Sequence, residues 1–126
     1  MLHVGLSHTS KLLVSPEHYA LSLGSGDLEV FGTPAMLALM ENAAMLAVAN
    51  ELPEGYTTVG GHIESSHLKP TKPGKEIEAT AVLTKIEGKK LFFDIEAKEG
   101  DKIIGKGTHI RFIVHKEKFL SALESD

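Results

Sequence analysis

The 126-residue sequence contains no cysteine, no tryptophan and a single arginine, Arg111. Without cysteine there is no disulfide, thiol nucleophile, iron–sulfur cluster or thiolate zinc site. Positive charge is also short. Thirteen Lys and Arg stand against 17 Asp and Glu, a formal net charge of −4, whereas a nucleic-acid binder carries a basic field. Long apolar runs are missing too. Nothing approaches the roughly 18–20 residues of a membrane span. The apolar stretch 1–6 is short, contains His3 and lacks the charged start and cleavage site of a secretory signal. A soluble cytoplasmic protein is expected, with no nucleic-acid or membrane partner. There is no repeat and no low-complexity tract, and the length suits one domain over residues 1–126. With 42% hydrophobic and 24% charged residues, disorder is not expected.

What stands out against these absences is histidine, with seven residues. Imidazole is the side chain whose unperturbed charge change lies near neutral pH. The question is which of the seven does chemistry.

Periodicity divides the chain into a helical half and a strand half. Residues 8–14 read as a short strand, 21–26 as a loop or one helical turn, and 29–31 as a second short strand. The clearest helix runs from about Pro34 to Leu52. Thr33 suits the cap and Pro34 the first turn, strong helix formers fill the segment, and Pro53 with Gly55 ends it. Met36, Leu37, Leu39, Met40, Ala43, Ala44, Met45, Leu46, Ala47 and Val48 make it apolar almost all round, so it is expected to be buried on most sides. After Tyr56 the period changes to two. Strands are expected over 57–68, 76–86, 91–97 and 103–115, joined mainly by tight turns, with Gly60-Gly61 marking a bulge or close approach and a short helix over 116–123. Hairpin-linked strands make an antiparallel sheet. One curved around a single apolar helix is an α+β domain, and the uncovered edges point to a dimer.

Glu41 is the most informative residue. A carboxylate in the middle of an apolar helix is costly to bury unless it is paired or working, so it is read as a general base or nucleophile. The alternative is a solvent-facing or backbone-capping role. Thr33 lies eight residues earlier, about 12 Å along a helix, so the two share a side without touching. The helix N-terminus between them carries free N–H groups and partial positive charge suited to an oxyanion. His67 and His62 fall on opposite faces of their strand, with Ser65 sharing the face of His67 and Glu64 that of His62. His62, Glu64, His67, His109 and His115 show no HxxxH or HExxH spacing, and no metal site is expected. No phosphate loop is present either.

The run Val30-Phe31-Gly32-Thr33-Pro34-Ala35-Met36-Leu37-Ala38-Leu39-Met40-Glu41 resembles the start of the central helix in hot dog fold thioesterases of the fluoroacetyl-CoA thioesterase-like group. The likeness continues through Val59-Gly60-Gly61-His62-Ile63-Glu64-Ser65-Ser66-His67, Pro73-Gly74, Glu87-Gly88-Lys89, Gly107-Thr108-His109-Ile110-Arg111 and His115-Lys116-Glu117-Lys118-Phe119. It implies a hot dog fold and hydrolysis of an acyl-CoA thioester, with no cofactor beyond that substrate. It also implies a catalytic set of Thr33, Glu41 and His67, Gly60 near the reacting carbonyl, and a site at a homodimer interface, with a tetramer also open. The fluoroacetyl-selective member carries an aromatic lid before the helix. The matching stretch here, 23–28, has no aromatic residue, so a small or medium acyl group is expected. Phe31, Met40 and Met36 are expected to shape the acyl pocket. Lys69, Lys72, Arg111, Lys116 and Lys118 are candidates to meet the coenzyme phosphates at its entrance. Two other readings stay open. One is a hot dog hydratase or dehydratase, which would pair its acid with a His close in sequence. The other is a non-catalytic acyl-CoA-binding module, which would need no acid on the helix.

Overall fold

The computed structural model describes residues 1–125. Five antiparallel strands form one sheet: β1 (Ser7–Leu13), β2 (Tyr56–His67), β3 (Glu76–Glu87), β4 (Lys90–Glu99) and β5 (Lys102–His115). Helix α1 (Ala20–Leu23) precedes the long α2 (Thr33–Ala49), and α3 (Lys116–Glu124) follows β5. The order across the sheet is β1-β3-β4-β5-β2, so β1 and β2 are the edges. This is the hot dog architecture, a curved antiparallel sheet on one helix.

Two hairpins, β3–β4 and β4–β5, form as the alternation predicts. The connection from β2 to β3 does not. β2 pairs with β5 rather than β3, so residues 68–75 carry the chain across the sheet instead of turning it back. Pro70 and Pro73 cannot donate to a ladder, and the segment is tied elsewhere. Phe31 N–H donates to Thr71 O (3.1 Å) and Gly74 N–H to Val14 O (2.8 Å). The expected strand 29–31 is reduced to one bridge between Tyr19 and Phe31. Its backbone groups are taken up locally, with Ala20 N–H on Val30 O (2.9 Å) and Gly32 N–H on His18 O (2.8 Å).

The α2 helix starts one residue earlier and stops three residues sooner than the sequence suggests. Gly32 is its N-cap, Thr33 is its first residue, and no side chain caps it. Thr33 is therefore not the cap, and its hydroxyl is free for another partner. At the other end Asn50 closes the helix, because the residue before Pro53 is steered away from helical backbone and Asn favours helix ends.

The core lies between α2 and the concave face of the sheet. Met36, Met40, Ala43, Ala44 and Val48 meet Ile77, Ala79, Ala81 and Leu83 of β3 and Leu91, Phe93 and Ile95 of β4, all essentially inaccessible. Fully burying each large side chain stabilises the fold by about 1.5–3 kcal/mol, and the alanines let helix and sheet approach closely. At Gly105 on β5 the fit is tighter still. A Cβ there would stand 3.1 Å from Ser66 O and closer yet to Met36 Sδ, so glycine is what lets the first turns of α2 settle onto the sheet. The opposite side of α2 is open. Leu46 and Ala38 are exposed and Leu37 and Met45 half-exposed, so the helix is buried on one side rather than on most.

Candidate active site

The N-terminus of α2 and the end of β2 meet at Thr33 and His67. Thr33 Oγ1 lies 2.7 Å from His67 Nδ1. The first helical turn points the Thr33 hydroxyl outward, and the hydroxyl that caps nothing is spent on imidazole. Phe31 stands edge-on to the His67 ring, with centroids 6.2 Å apart at 79°. His67 Nε2 is buried and has no hydrogen-bond partner among the described residues. Burial pushes the His67 pKa below its usual 6.5, so the ring is neutral at pH 7 and able to take a proton. These residues line a cleft of about 320 Å³ together with Ala20, Val30 and Lys69. A larger cavity of about 460 Å³, lined by Thr80, Asp94, Lys106 and Thr108, lies on the outer face of the sheet and touches none of the predicted residues.

Glu41 is elsewhere. It stands over Gly60, at the bulge where the β2–β5 register shifts between Gly60 and His62. A Cβ on Gly60 would lie 2.8 Å from Glu41 Oε2, 3.4 Å from His109 Cε1 and 3.6 Å from Arg111 Nη1. Only a glycine hydrogen leaves this space open. Three polar side chains from α2 and β5 thus converge on exposed backbone of the edge strand β2. Within one chain, Thr33–His67 and Glu41–Gly60 form two clusters, since His67 lies seven residues beyond Gly60, roughly 20 Å along the strand.

Arg111 corrects an expectation. It is not a solvated cation at an entrance but only 6% exposed. Its Nε donates to Thr58 Oγ1 (2.7 Å), its Nη2 to Thr58 O (2.9 Å) and its Nη1 to His109 Nε2 (3.2 Å). His109, 1% exposed, places Nδ1 2.7 Å from His62 O. A carbonyl only accepts, so Nδ1 carries the proton and Nε2 is the acceptor for Arg111. The sequence held the signal, because residues two apart on a strand share a face, but nothing in it placed that face beneath Gly60. Met40 is also corrected. It is fully buried in the core and lines neither cluster, whereas Phe31 does line the cleft. Of the lysines, Lys69 borders the cleft. Lys72 lines a neighbouring cavity with Lys75 and Lys102, and Lys118 lies at the far end of β5 with Tyr56 and His115. Among the described residues no three His, Asp or Glu side chains gather in a way that could hold a metal, and no helix is long and apolar enough to cross a membrane.

A family model described as fluoroacetyl-CoA-specific thioesterase matches residues 14–117. The chain belongs to this family. The fluoroacetyl-CoA thioesterase of Streptantibioticus cattleyicolor is 41% identical over 91 residues, which cover 72% of this chain and 66% of that protein, just under two thirds of its length. A solved structure of the fluoroacetyl-CoA thioesterase superposes with a TM-score of 0.92 at 32% identity, covering 100% of this chain and 98% of that one. A variant of that enzyme in complex with fluoroacetate and CoA superposes at 0.87 with 35% identity, covering 94% of this chain and 99% of that one. The thioesterase family's architecture therefore accounts for nearly the whole chain.

The buried His109 and the half-buried His67 of this thioesterase-family chain link stability to pH. Burial lowers the pKa of His67 and of His109 below 6.5, so below that pH the unfolded chain binds more protons than the native one, and stability falls with pH. The melting temperature is expected to be level above about pH 7 and to drop as the pH falls through 6.5 and below. In the His109→Phe variant the drop should be shallower. Thermal unfolding between pH 8 and 5 measures both, and equal slopes in the two proteins would refute the assignment to His109.

Proposed function

We propose that the protein hydrolyses a small or medium acyl-CoA thioester, with Thr33, Glu41 and His67 as its catalytic set in a site completed by a second copy of the chain. The observation that carries this reading is the Thr33–His67 hydrogen bond at the N-terminus of α2, with a neutral imidazole whose Nε2 is buried and unpartnered. Family membership and the CoA complex of a relative support the substrate class.

The acyl carbonyl would lie near the first turn of α2, where free N–H groups and the backbone at Gly60 hold the developing oxyanion. Glu41 activates water, or attacks directly, and the new C–O bond forms as the C–S bond breaks. His67 carries the proton to the departing coenzyme thiolate, and Thr33 holds the ring for that transfer. No cofactor is required, since the thioester itself supplies the leaving group. In the alternative hydratase reading, Glu41 would work with a histidine. The histidine beside it, His109, has both ring nitrogens committed to His62 O and Arg111, which disfavours that reading. A binding module has no use for a hydroxyl–imidazole pair with a buried, unpartnered Nε2.

A homodimer is supported by the molecule's unpaired features. β2 is a 12-residue edge strand that carries both Gly60 and His67, and the open side of α2 is apolar. A long edge with unpaired backbone groups and an uncovered apolar helix face each seek a partner. Antiparallel docking of two such edges would bring Glu41 of one copy toward Thr33 and His67 of the other. A tetramer would stack further copies on the same unit. In the lid region, the stretch 23–28 exposes Leu23 and Leu28 and has no aromatic residue, which favours acyl groups chosen by size.

Thiol release from a series of acyl-CoA thioesters of increasing chain length tests the reading. Thr33→Ser should retain most turnover and Thr33→Ala should lose about 100-fold. Equal rates in the two variants would reduce Thr33 to a helix residue, and no hydrolysis of any thioester by the native chain would refute the function.

A further inference from the structure

Arg111 is the chain's only arginine, and it is a buried cation whose three observed bonds go to neutral groups: the hydroxyl and carbonyl of Thr58 and the imidazole of His109. A buried charge is costly unless every donor is used, and a guanidinium has five N–H donors in a fixed fork. Three are taken. Nη1 holds one of the two left over, and Nη1 is the atom 3.6 Å from the point where a Gly60 Cβ would be. The fork is therefore clamped on two sides with a spare N–H beside the open Gly60 backbone and the Glu41 carboxylate.

We propose that His109 is a positioning residue for the thioesterase reaction: by accepting from Arg111 Nη1 it fixes the guanidinium so that its free N–H faces the acyl group or attacking water held at Gly60 and Glu41. The inference rests on the thioesterase reading. His109 can do this only as the Nδ1–H tautomer. The bond to His62 O enforces that tautomer, and the groups around the ring keep it neutral. Burial disfavours its charge, and Arg111 on the same strand and His62 on β2 oppose a second positive charge. The hydrogen bond to His62 O and the Glu41 carboxylate on α2 favour one, but burial, the largest influence, carries the balance and the pKa stays below 6.5. From β4 only the uncharged Phe93 ring faces it, 6.2 Å between centroids. Protonation of Nε2 would cancel the acceptor and set two cations against each other.

His109→Phe keeps the ring volume and removes both hydrogen bonds. His109→Gln keeps an acceptor that can reach Arg111. Two readouts separate positioning from mere packing. In steady-state hydrolysis of a short acyl-CoA, kcat of His109→Phe should fall about 10- to 100-fold, the loss expected when a reacting-site group is displaced by an ångström or so. KM should stay within a few fold, and His109→Gln should recover most of kcat. Second, the single arginine gives one side-chain Nε–H resonance in ¹H–¹⁵N spectra. It should be sharp and slow to exchange in the native protein and in His109→Gln, and broadened or shifted to the solvated position in His109→Phe. Should His109→Phe not fold, His109→Asn, which retains the donor to His62 O but not the acceptor for Arg111, takes its place with the same expectations. Native-like kcat in the Phe or Asn variant, or equal losses in Gln and Phe that track melting temperature, would overturn the proposal. If the native chain hydrolyses no thioester, the function fails, while the arginine resonance still reports whether His109 holds Arg111.

Discussion

Replacing His67 or Glu41 with alanine is expected to abolish acyl-CoA hydrolysis while leaving the fold intact. His67 is half-buried at the end of an edge strand and its side-chain bond goes to Thr33. Glu41 makes no core contact of the kind Met40 or Ala44 makes. Neither truncation opens a large cavity, so each should change stability by no more than about 1 kcal/mol. The effect on rate is of another order. Losing a proton-transfer group costs about 100- to 10,000-fold, and losing the group that activates water costs at least as much. Gly60→Ala should mimic the Glu41 loss by occupation, because its Cβ would press on the Glu41 carboxylate at 2.8 Å. Thiol release alongside circular dichroism measures activity and fold in the same samples. A folded His67→Ala or Glu41→Ala protein within tenfold of native turnover would remove that residue from the catalytic set.

Mixing the two inactive variants is expected to restore activity. Within one chain Thr33–His67 and Glu41–Gly60 are separate clusters, so the proposed site takes Glu41 from one copy and His67 from the other. In a two-fold dimer each site would then draw on both subunits. After subunit exchange between equal amounts of Glu41→Ala and His67→Ala, about half the dimers are mixed, and each mixed dimer has one site with every group present and one lacking both. The mixture should recover about a quarter of native activity. No recovery, in samples shown by mass spectrometry to contain mixed dimers, would place the whole set within a single chain.

Much of the fold was legible in the residues. The α2 segment is the longest apolar stretch of strong helix formers, and 76–86, 91–97 and 103–115 alternate cleanly, so their elements appear within one to three residues of expectation. The failures share a cause. The strand expected at 29–31 and the tight turn expected between the strands 57–68 and 76–86 depend on which distant backbone groups accept their N–H donors, and periodicity does not encode this. Thr33 looked like a cap because Thr-Pro begins helices. Its hydroxyl instead bonds His67, 34 residues away, a pairing set by how β2 lies across the helix end.

The sequence by itself determined the helix, the strand-rich half and the absence of thiol chemistry, and it singled out Glu41 as a candidate, because local propensity, period and the cost of a charge on an apolar helix act over a few residues. Its likeness to a thioesterase family supplied His67 and Gly60. Only the tertiary structure decided that Met40 belongs to the core, that the lone arginine is buried rather than solvated, and that His109 clamps it beneath Gly60. Those outcomes follow from how α2 packs on the sheet and from strand order and register, and a one-residue slip of β5 in the sheet would turn His109 and Arg111 to the other face.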